Sequence, residues 1–347
     1  MARLGYLFFG VLTSFFVSFL LWSSLFTTGL ESNLHGYVIS TSNATVKSNY
    51  SFGNFNSGAL SDTCTIYKEA NNLKEKGEEA NDRMMDKNKA SNNTNYNNKI
   101  YSGKVEKGVW FYANSFENSI PLEIVDQLLT LNVNTIYFGG TTIPDWKDPK
   151  KSQMYSNFIC YAYSKGLSVY AVTLEDPLFA FGKEKQIQEE FRDFILSTKD
   201  LFDTYMIDVE PHTLHISDPL VYIPQYIRMS LALQEISNKY NVTYVDTVPY
   251  WYHFVIKNIG ISPGLNILGG DRVNLMDYTY TANQSINNIK AVLPEVQKPF
   301  TISIKATPGL GDPFLNSEQL KSTIENFENN SIPIGLFELQ YLLRNLP

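Results

Sequence analysis

The sequence predicts a (β/α)8 TIM barrel preceded by a transmembrane helix and a disordered linker. Three observations predict it. From residue 108 onward, short β-branched or aromatic runs alternate with amphipathic helical stretches, and that alternation implies a parallel sheet. Eight such runs follow one another at a spacing of about 30 residues, the size of one βα unit. Eight parallel strands close on themselves, whereas an open sheet needs two protected edges. The first ninety or so of the 347 residues have a different character. That leaves roughly 240 for the barrel, the size this fold occupies. A doubly wound open sheet is the runner-up. No G-x-G-x-x-G follows the first strand, which counts against its dinucleotide-binding version, and no cofactor is predicted.

Residues 1–31 read as a membrane anchor. Gly5–Phe26 is apolar, broken only by Gly, Ser and Thr, and at ~1.5 Å per residue it is long enough to span a bilayer. Arg3 precedes the run and the next Lys or Arg is Lys47, so the positive-inside rule leaves the remainder outside the cell. The run is longer than a signal peptide's apolar region and lacks a small-residue cleavage pattern, which favours a retained anchor. A buried core helix is the third reading, because the run is apolar on every face. Sequons at Asn43, Asn49, Asn92, Asn241, Asn283 and Asn329 would accept glycans on an exported chain.

Residues 32–99 are rich in Asn, Ser and Lys and read as a polar flexible linker. Within them, Asp62–Lys89 has the composition of a charged helix, free or docked on the barrel. The only cysteines are Cys64 and Cys160. They read as two unpaired thiols, Cys160 in the core, with a bridge as the alternative in an oxidising compartment. A net charge of −7 and a pI near 5.2 exclude a basic nucleic-acid footprint. The aromatic content of 14% suits a large aromatic core and equally stacking on sugar rings.

The barrel domain is residues 100–347. Its strands read as Gly108–Asn114, Thr135–Gly140, Ser168–Glu175, Thr204–Glu210, Thr243–Trp251, Val273–Tyr280, Phe300–Thr307 and Ile334–Gln340. Helices read as Pro121–Leu131, Ser152–Lys165, Lys185–Thr198, Val221–Lys239, Gln284–Leu293 and Ser317–Asn329, with a weaker one at Phe254–Leu268 broken by Gly and Pro. The chain ends at Pro347, too soon for an eighth helix. Its place is open or taken by Asp62–Lys89.

Barrel chemistry sits at the C-terminal ends of strands. The fourth strand ends Ile207-Asp208-Val209-Glu210-Pro211-His212. Strand side chains alternate, so Asp208 and Glu210 face one way while Ile207 and Val209 pack outward. Two carboxylates in one mouth repel, so one pKa rises, as a general acid needs near neutral pH. Glu210, nearer the strand end, is expected to carry that rise, while Tyr278 or Lys305 keeps Asp208 ionised. Further candidates for holding a substrate are Glu175, Asp246, Tyr250, Trp251, Asp277, Lys305 and Glu338. His212, His215 and His253 match no metal-site spacing, and no metal is predicted.

The run Asp203-Thr204-Tyr205-Met206-Ile207-Asp208-Val209-Glu210 resembles the D-x-x-D-x-D-x-E signature of family 18 chitinases. Asp203, Asp208 and Glu210 match its first, third and fourth acids, and Met206 stands in place of the second. Met276-Asp277-Tyr278 resembles that family's M-x-Y-D, with Thr279 replacing the acid, and the Trp of its eighth strand is absent. The resemblance implies that Glu210 is the general acid and that Asp208 holds its proton and orients a substrate acetamido group, which Tyr278 also binds. With Met206 in the motif that relay is shortened. An ordinary two-carboxylate mechanism is then open, with Glu338, Glu175 or Asp277 as the second group. Two functional readings follow: a membrane-tethered extracellular glycoside hydrolase acting on glycans, or a non-catalytic barrel binding glycans or a partner protein at the cell surface.

Overall fold

The computed structural model describes Cys64, residues 105–261, 263–278, 282–306 and 316–337, and Leu339. The expected anchor, the linker apart from Cys64, and Glu338 lie outside these residues. Among the described residues, no helix is long and apolar enough to cross a membrane.

Eight strands are present: β1 (Lys107–Tyr112), β2 (Thr135–Gly139), β3 (Ser168–Thr173), β4 (Thr204–Ile207), β5 (Thr243–Pro249), β6 (Arg272–Met276), β7 (Phe300–Lys305) and β8 (Ile334–Phe337). Each pairs in parallel with its sequence neighbour, and β1 pairs with β8 to close the barrel. The described helices are α1 (Glu123–Thr130), α2 (Ile143–Lys147), α3 (Pro149–Ser164), α4 (Glu184–Thr198), α5 (Pro219–Tyr240), α6 (Tyr252–Asn258), α7 (Ala282–Val292) and α8 (Ser317–Asn329).

Several boundaries differ from expectation for local reasons. The helical stretch after β2 starts early because Thr142 and Asp145 form a capping box for α2, and the Asp148 side chain then caps α3. The weak helix expected at Phe254–Leu268 is split into α6 and a 3₁₀ turn at Gly264–Ile267. Between them Gly260 turns back at φ 86°, a conformation open to glycine.

Strand alternation sorts side chains between two cores. Val109, Phe111, Ile136, Phe138, Ile207 and Val209 belong to the outer core between barrel and helices. Trp110, Tyr137, Val172, Met206 and Val245 form a separate inner cluster, with Tyr112, Tyr170 and Phe337 packed against it. Met206, at the place of the missing motif acid, is thus part of the barrel filling. Gly108 and Gly335 face each other on the closing seam. A Cβ on Gly108 would fall 2.2 Å from the Tyr137 ring, and one on Gly335 would fall 2.9 Å from it. The two bare backbones therefore admit Tyr137.

Beneath that ring lies a polar floor. Glu106 accepts from Tyr137 Oη (2.6 Å), Thr301 Oγ1 (3.1 Å), Tyr170 Oη (3.2 Å) and Arg272 Nη2 (2.5 Å). Burial pushes the Glu106 carboxyl up, but the Arg272 charge and these hydrogen bonds outweigh it and hold the pKa below its ordinary value. Above the ring, Trp110 Nε1 donates to Ser303 Oγ (2.9 Å), and Ser303 Oγ donates to Asn274 Oδ1 (2.8 Å).

The two cysteines, read as unpaired thiols, are instead joined as Cys64–Cys160 across 96 residues of sequence. The fold brings the buried Cys64 against α3, which a spacing in sequence does not encode.

Arg272→Met would leave the Glu106 anion buried without its cation. Urea denaturation should show a loss of roughly 3–5 kcal/mol, and the double variant Glu106→Gln/Arg272→Met should recover most of it. Equal losses in single and double variants would mean the floor is held by packing alone.

Candidate active site

Asp208 and Glu210 continue the alternation beyond the last paired residue of β4. Ile207 and Val209 are buried in the outer core, and the two acids are half-buried on the inner side. The Asp208 N–H bonds to the Thr173 carbonyl of β3 at 3.2 Å, which holds the chain in line. Glu210 then stands at the N-cap position of a 3₁₀ turn, Pro211–Leu214, with its side chain making no capping hydrogen bond, and Pro fits the first turn because no N–H is needed there.

Glu175 arrives by breaking the alternation. Val172 is an inner residue, so strand parity would turn Leu174 inward as well. At φ 53° Leu174 instead packs in the outer core, and Glu175 follows into the mouth. Its Oε1 accepts from the Gly140 N–H at 2.9 Å. A Cβ on Gly139 would lie 3.1 Å from Val172 Cβ and 3.3 Å from the Tyr112 ring, so this glycine keeps those two side chains clear, with Glu175 Oε1 next to it at ordinary contact distance.

Tyr112, at the end of β1, faces the same space, and its phenol feels Asp208, Glu175, Tyr278 and Glu210. Burial first, and then those charges, drive its pKa upward, so it is a neutral hydrogen-bonding group. Sequence reading missed it. The available signal was its period-two relation to Trp110, but an aromatic at a strand end reads as core until closure sets β1 across from β4.

The acids are strongly conditioned by burial. The Asp208 carboxyl is pushed well above its ordinary range by burial, then by Glu210 and Glu175, against a hydrogen bond from Tyr112. Its Oδ1 is sealed from solvent with no hydrogen-bond partner. Burial also raises Glu210, and it raises Glu175 against the Gly140 N–H. The expectation of an ionised Asp208 beside a single raised Glu210 is therefore corrected. Both rise, and the deeper Asp208, flanked by two carboxyls, rises well out of its range.

Aromatic rings border the acids. Tyr278, 39% exposed, lies against Phe337 at 5.6 Å, and Phe337 meets Tyr112 edge-on at 6.0 Å. On the other side, His212 Nε2 is 4.0 Å from Glu210 Oε1. Its ring is edge-on to Trp251 at 6.0 Å, so Trp251 borders the site through His212. Burial lowers the His212 pKa and keeps the imidazole neutral.

The remaining candidates separate by parity. Lys305 ends β7 half-buried, on the side of Thr301 and Ser303. Tyr250 follows β5 with its N–H on the Met276 carbonyl (3.1 Å) and its ring edge-on to Phe254 (6.5 Å). Asp277 is 1% exposed and outward of Met276, and its carboxyl accepts from Asn288 of α7 at 3.2 Å. Asp246 is also outward and fully buried. It accepts from Ser230 Oγ (2.8 Å), the Gly270 N–H (2.8 Å), Tyr226 and Tyr244. The structure thus gathers Asp208, Glu210, Glu175 and Tyr278 with Tyr112, and turns Asp246 and Asp277 toward the helices. Among the described residues, no group of three His, Cys, Asp or Glu side chains is disposed to hold a metal ion.

No family model matches this sequence, and no curated protein is similar to it. Solved structures are. A GH18 chitinase from Pseudoalteromonas aurantia has 12% identity and a TM-score of 0.49, over 67% of this chain and 93% of that one. The PgaB (BpsB) glycoside hydrolase domain from Bordetella bronchiseptica has 12% identity and a TM-score of 0.45, over 69% of this chain and 95% of that one. The mannanase catalytic domain from Streptomyces sp. SirexAA-E has 10% identity and a TM-score of 0.46, over 68% and 76%.

The raised Asp208 pKa has a consequence for stability. A carboxyl whose folded pKa lies above its unfolded one contributes stability that is full below the unfolded value and is lost as pH rises toward the folded value. Asp208→Asn removes that loss. Thermal melts should show the variant more stable than the parent at neutral pH, with the gap narrowing toward about pH 4. A variant less stable at every pH would make the carboxylate a structural acceptor.

Proposed function

We propose that this chain is a membrane-tethered, extracytoplasmic glycoside hydrolase that acts on glycans by carboxylate general acid catalysis. The observation that carries this reading is the convergence of Glu175, Asp208 and Glu210 on one aromatic-walled barrel mouth, with burial raising all three pKa values. Glu210 stands at the outer lip with its side chain 29% exposed, where it reaches a glycosidic oxygen as the general acid. A carboxyl poised upward from its ordinary range keeps its proton for that step.

Of the three acids considered as a second carboxylate, Asp277 is turned to α7 and Glu338 lies outside the described residues. Glu175 is in the mouth, so the role falls to it or to Asp208. Tyr278 and Trp251 offer ring faces and polar tips of the kind that suit sugar rings. The extracytoplasmic placement draws support from the Cys64–Cys160 disulfide, which belongs to an oxidising compartment. The apolar run Gly5–Phe26 behind Arg3 supports the tether.

In a screen of polysaccharides, Glu210→Gln should lower any hydrolysis by about 10²–10⁴ and leave sugar binding close to that of the parent. Binding without hydrolysis in the parent, unchanged by Glu210→Gln, would make the barrel a glycan-binding module instead. Protease added to intact cells should digest the barrel. Its survival until the cells are lysed would reverse the orientation.

A further inference from the structure

The backbone of Leu174 is the outlier nearest the site. A large aliphatic residue at φ 53° is rare, is strained, and persists only where the surroundings enforce it. Its effect is specific: the Leu174 side chain goes to the outer core and the next residue goes to the mouth. Around that next residue the structure is prepared. Gly139 lacks the Cβ that would press on the adjoining Tyr112 ring, and the Gly140 N–H grips Glu175 Oε1 at 2.9 Å. Met206, the inner residue preceding Asp208 on β4, is apolar and belongs to the barrel filling, so β4 supplies no acid below Asp208.

We propose that Glu175 is a positioning residue for Asp208: its carboxylate, turned in by Leu174 and held by Gly140, keeps the proton on Asp208, which then stands as a neutral hydrogen-bond donor beside Glu210. The inference rests on the site reading above and deepens it. Two carboxyls in mutual range do not both ionise freely, and the one whose anion is better served ionises first. Each takes one hydrogen bond, Glu175 from the Gly140 N–H and Asp208 from Tyr112, but Asp208 Oδ1 is sealed from solvent with no partner. The other groups facing Asp208 are Tyr112 from β1 and Glu210 beyond β4. Farther round the mouth stand Tyr278 after β6, His212 in the turn after β4, and Lys305 at the end of β7. A proton retained by Asp208 lets it donate to the Glu210 carboxylate once Glu210 has given up its own proton to the leaving oxygen. No bond beyond that hydrogen bond is formed.

The test is a carboxyl-carbon NMR titration of the full chain, labelled at Asp and Glu, with Glu175→Gln and Asp208→Asn used for assignment. In the parent, the Asp208 signal should respond twice: once as Glu175 ionises, and again at its own midpoint above the ordinary carboxylate range. In Glu175→Gln, which keeps an oxygen for the Gly140 N–H, the Asp208 midpoint should fall by roughly one pH unit or more. A single Asp208 step in the parent, or a midpoint unmoved in a folded Glu175→Gln, overturns the proposal. If Glu175→Gln fails to fold, the same titration of Glu210→Gln decides: the Asp208 signal should still respond twice there, and a single step overturns the proposal. No substrate enters the measurement, so a chain that hydrolyses no glycan but shows the coupling would sink the proposed function and leave this inference standing.

Discussion

Tyr137 lies across the inside of the barrel where two facing glycines, Gly108 and Gly335, leave no side chain in its way. That fit is made at the seam between the first and last strands, the one pairing that turns a row of βα units into a closed surface. A methyl group at either glycine would meet the ring, so the seam and the ring are compatible only as they stand. The phenol donates a hydrogen bond to Glu106, which also accepts from Arg272, Tyr170 and Thr301. Strands β1, β2, β3, β6 and β7 are thereby tied at their N-terminal ends. With the floor closed and the middle filled by Trp110, Val172, Met206 and Val245 and by the bonded Ser303 and Asn274, the C-terminal ends are left for the inward-facing acids. Closure also sets Tyr112 beside Phe337 and across from Asp208, residues that no local part of the chain would bring together.

The mouth combines groups that a stable core avoids. Three carboxyls sit half-buried, and a leucine holds a left-handed backbone to deliver one of them. Burial in such a place favours the neutral form of each acid, and the acids disfavour one another's charge. The barrel beneath supplies the stability that such a site lacks. This division is the usual one in the fold, in which the lower layers stabilise and the upper ends carry the chemistry.

Much of this was legible in the sequence. Eight strands and their order follow from alternating β-branched runs and amphipathic stretches, because burial on both faces of a parallel sheet imposes that pattern. Asp208 and Glu210 follow from period two, which holds through Val209. Period two, however, does not say which of its two faces is inner unless the strand is anchored. Asp246 and Asp277 were read as mouth residues and are outward. There, hydrogen bonds from Ser230, Tyr226 and Gly270, and from Asn288, satisfy them against the helices. The strand glycines at 108 and 335 were a signal of close approach, but only closure identifies the ring that approaches. The Leu174 turn left no trace, since leucine is no turn former. The disulfide depends on a contact 96 residues apart, which composition and spacing do not report.

The central claim is that the acids of the mouth stay partly protonated at neutral pH because the barrel buries them together. Neutron diffraction from deuterated crystals at neutral pH tests it most directly, since it locates the deuterons on the carboxyl groups. The account predicts a deuteron on Asp208, bare oxygens on Glu106 in the floor, and a phenolic deuteron on Tyr112. Asp208, Glu210 and Glu175 all free of deuterons at that pH would contradict it.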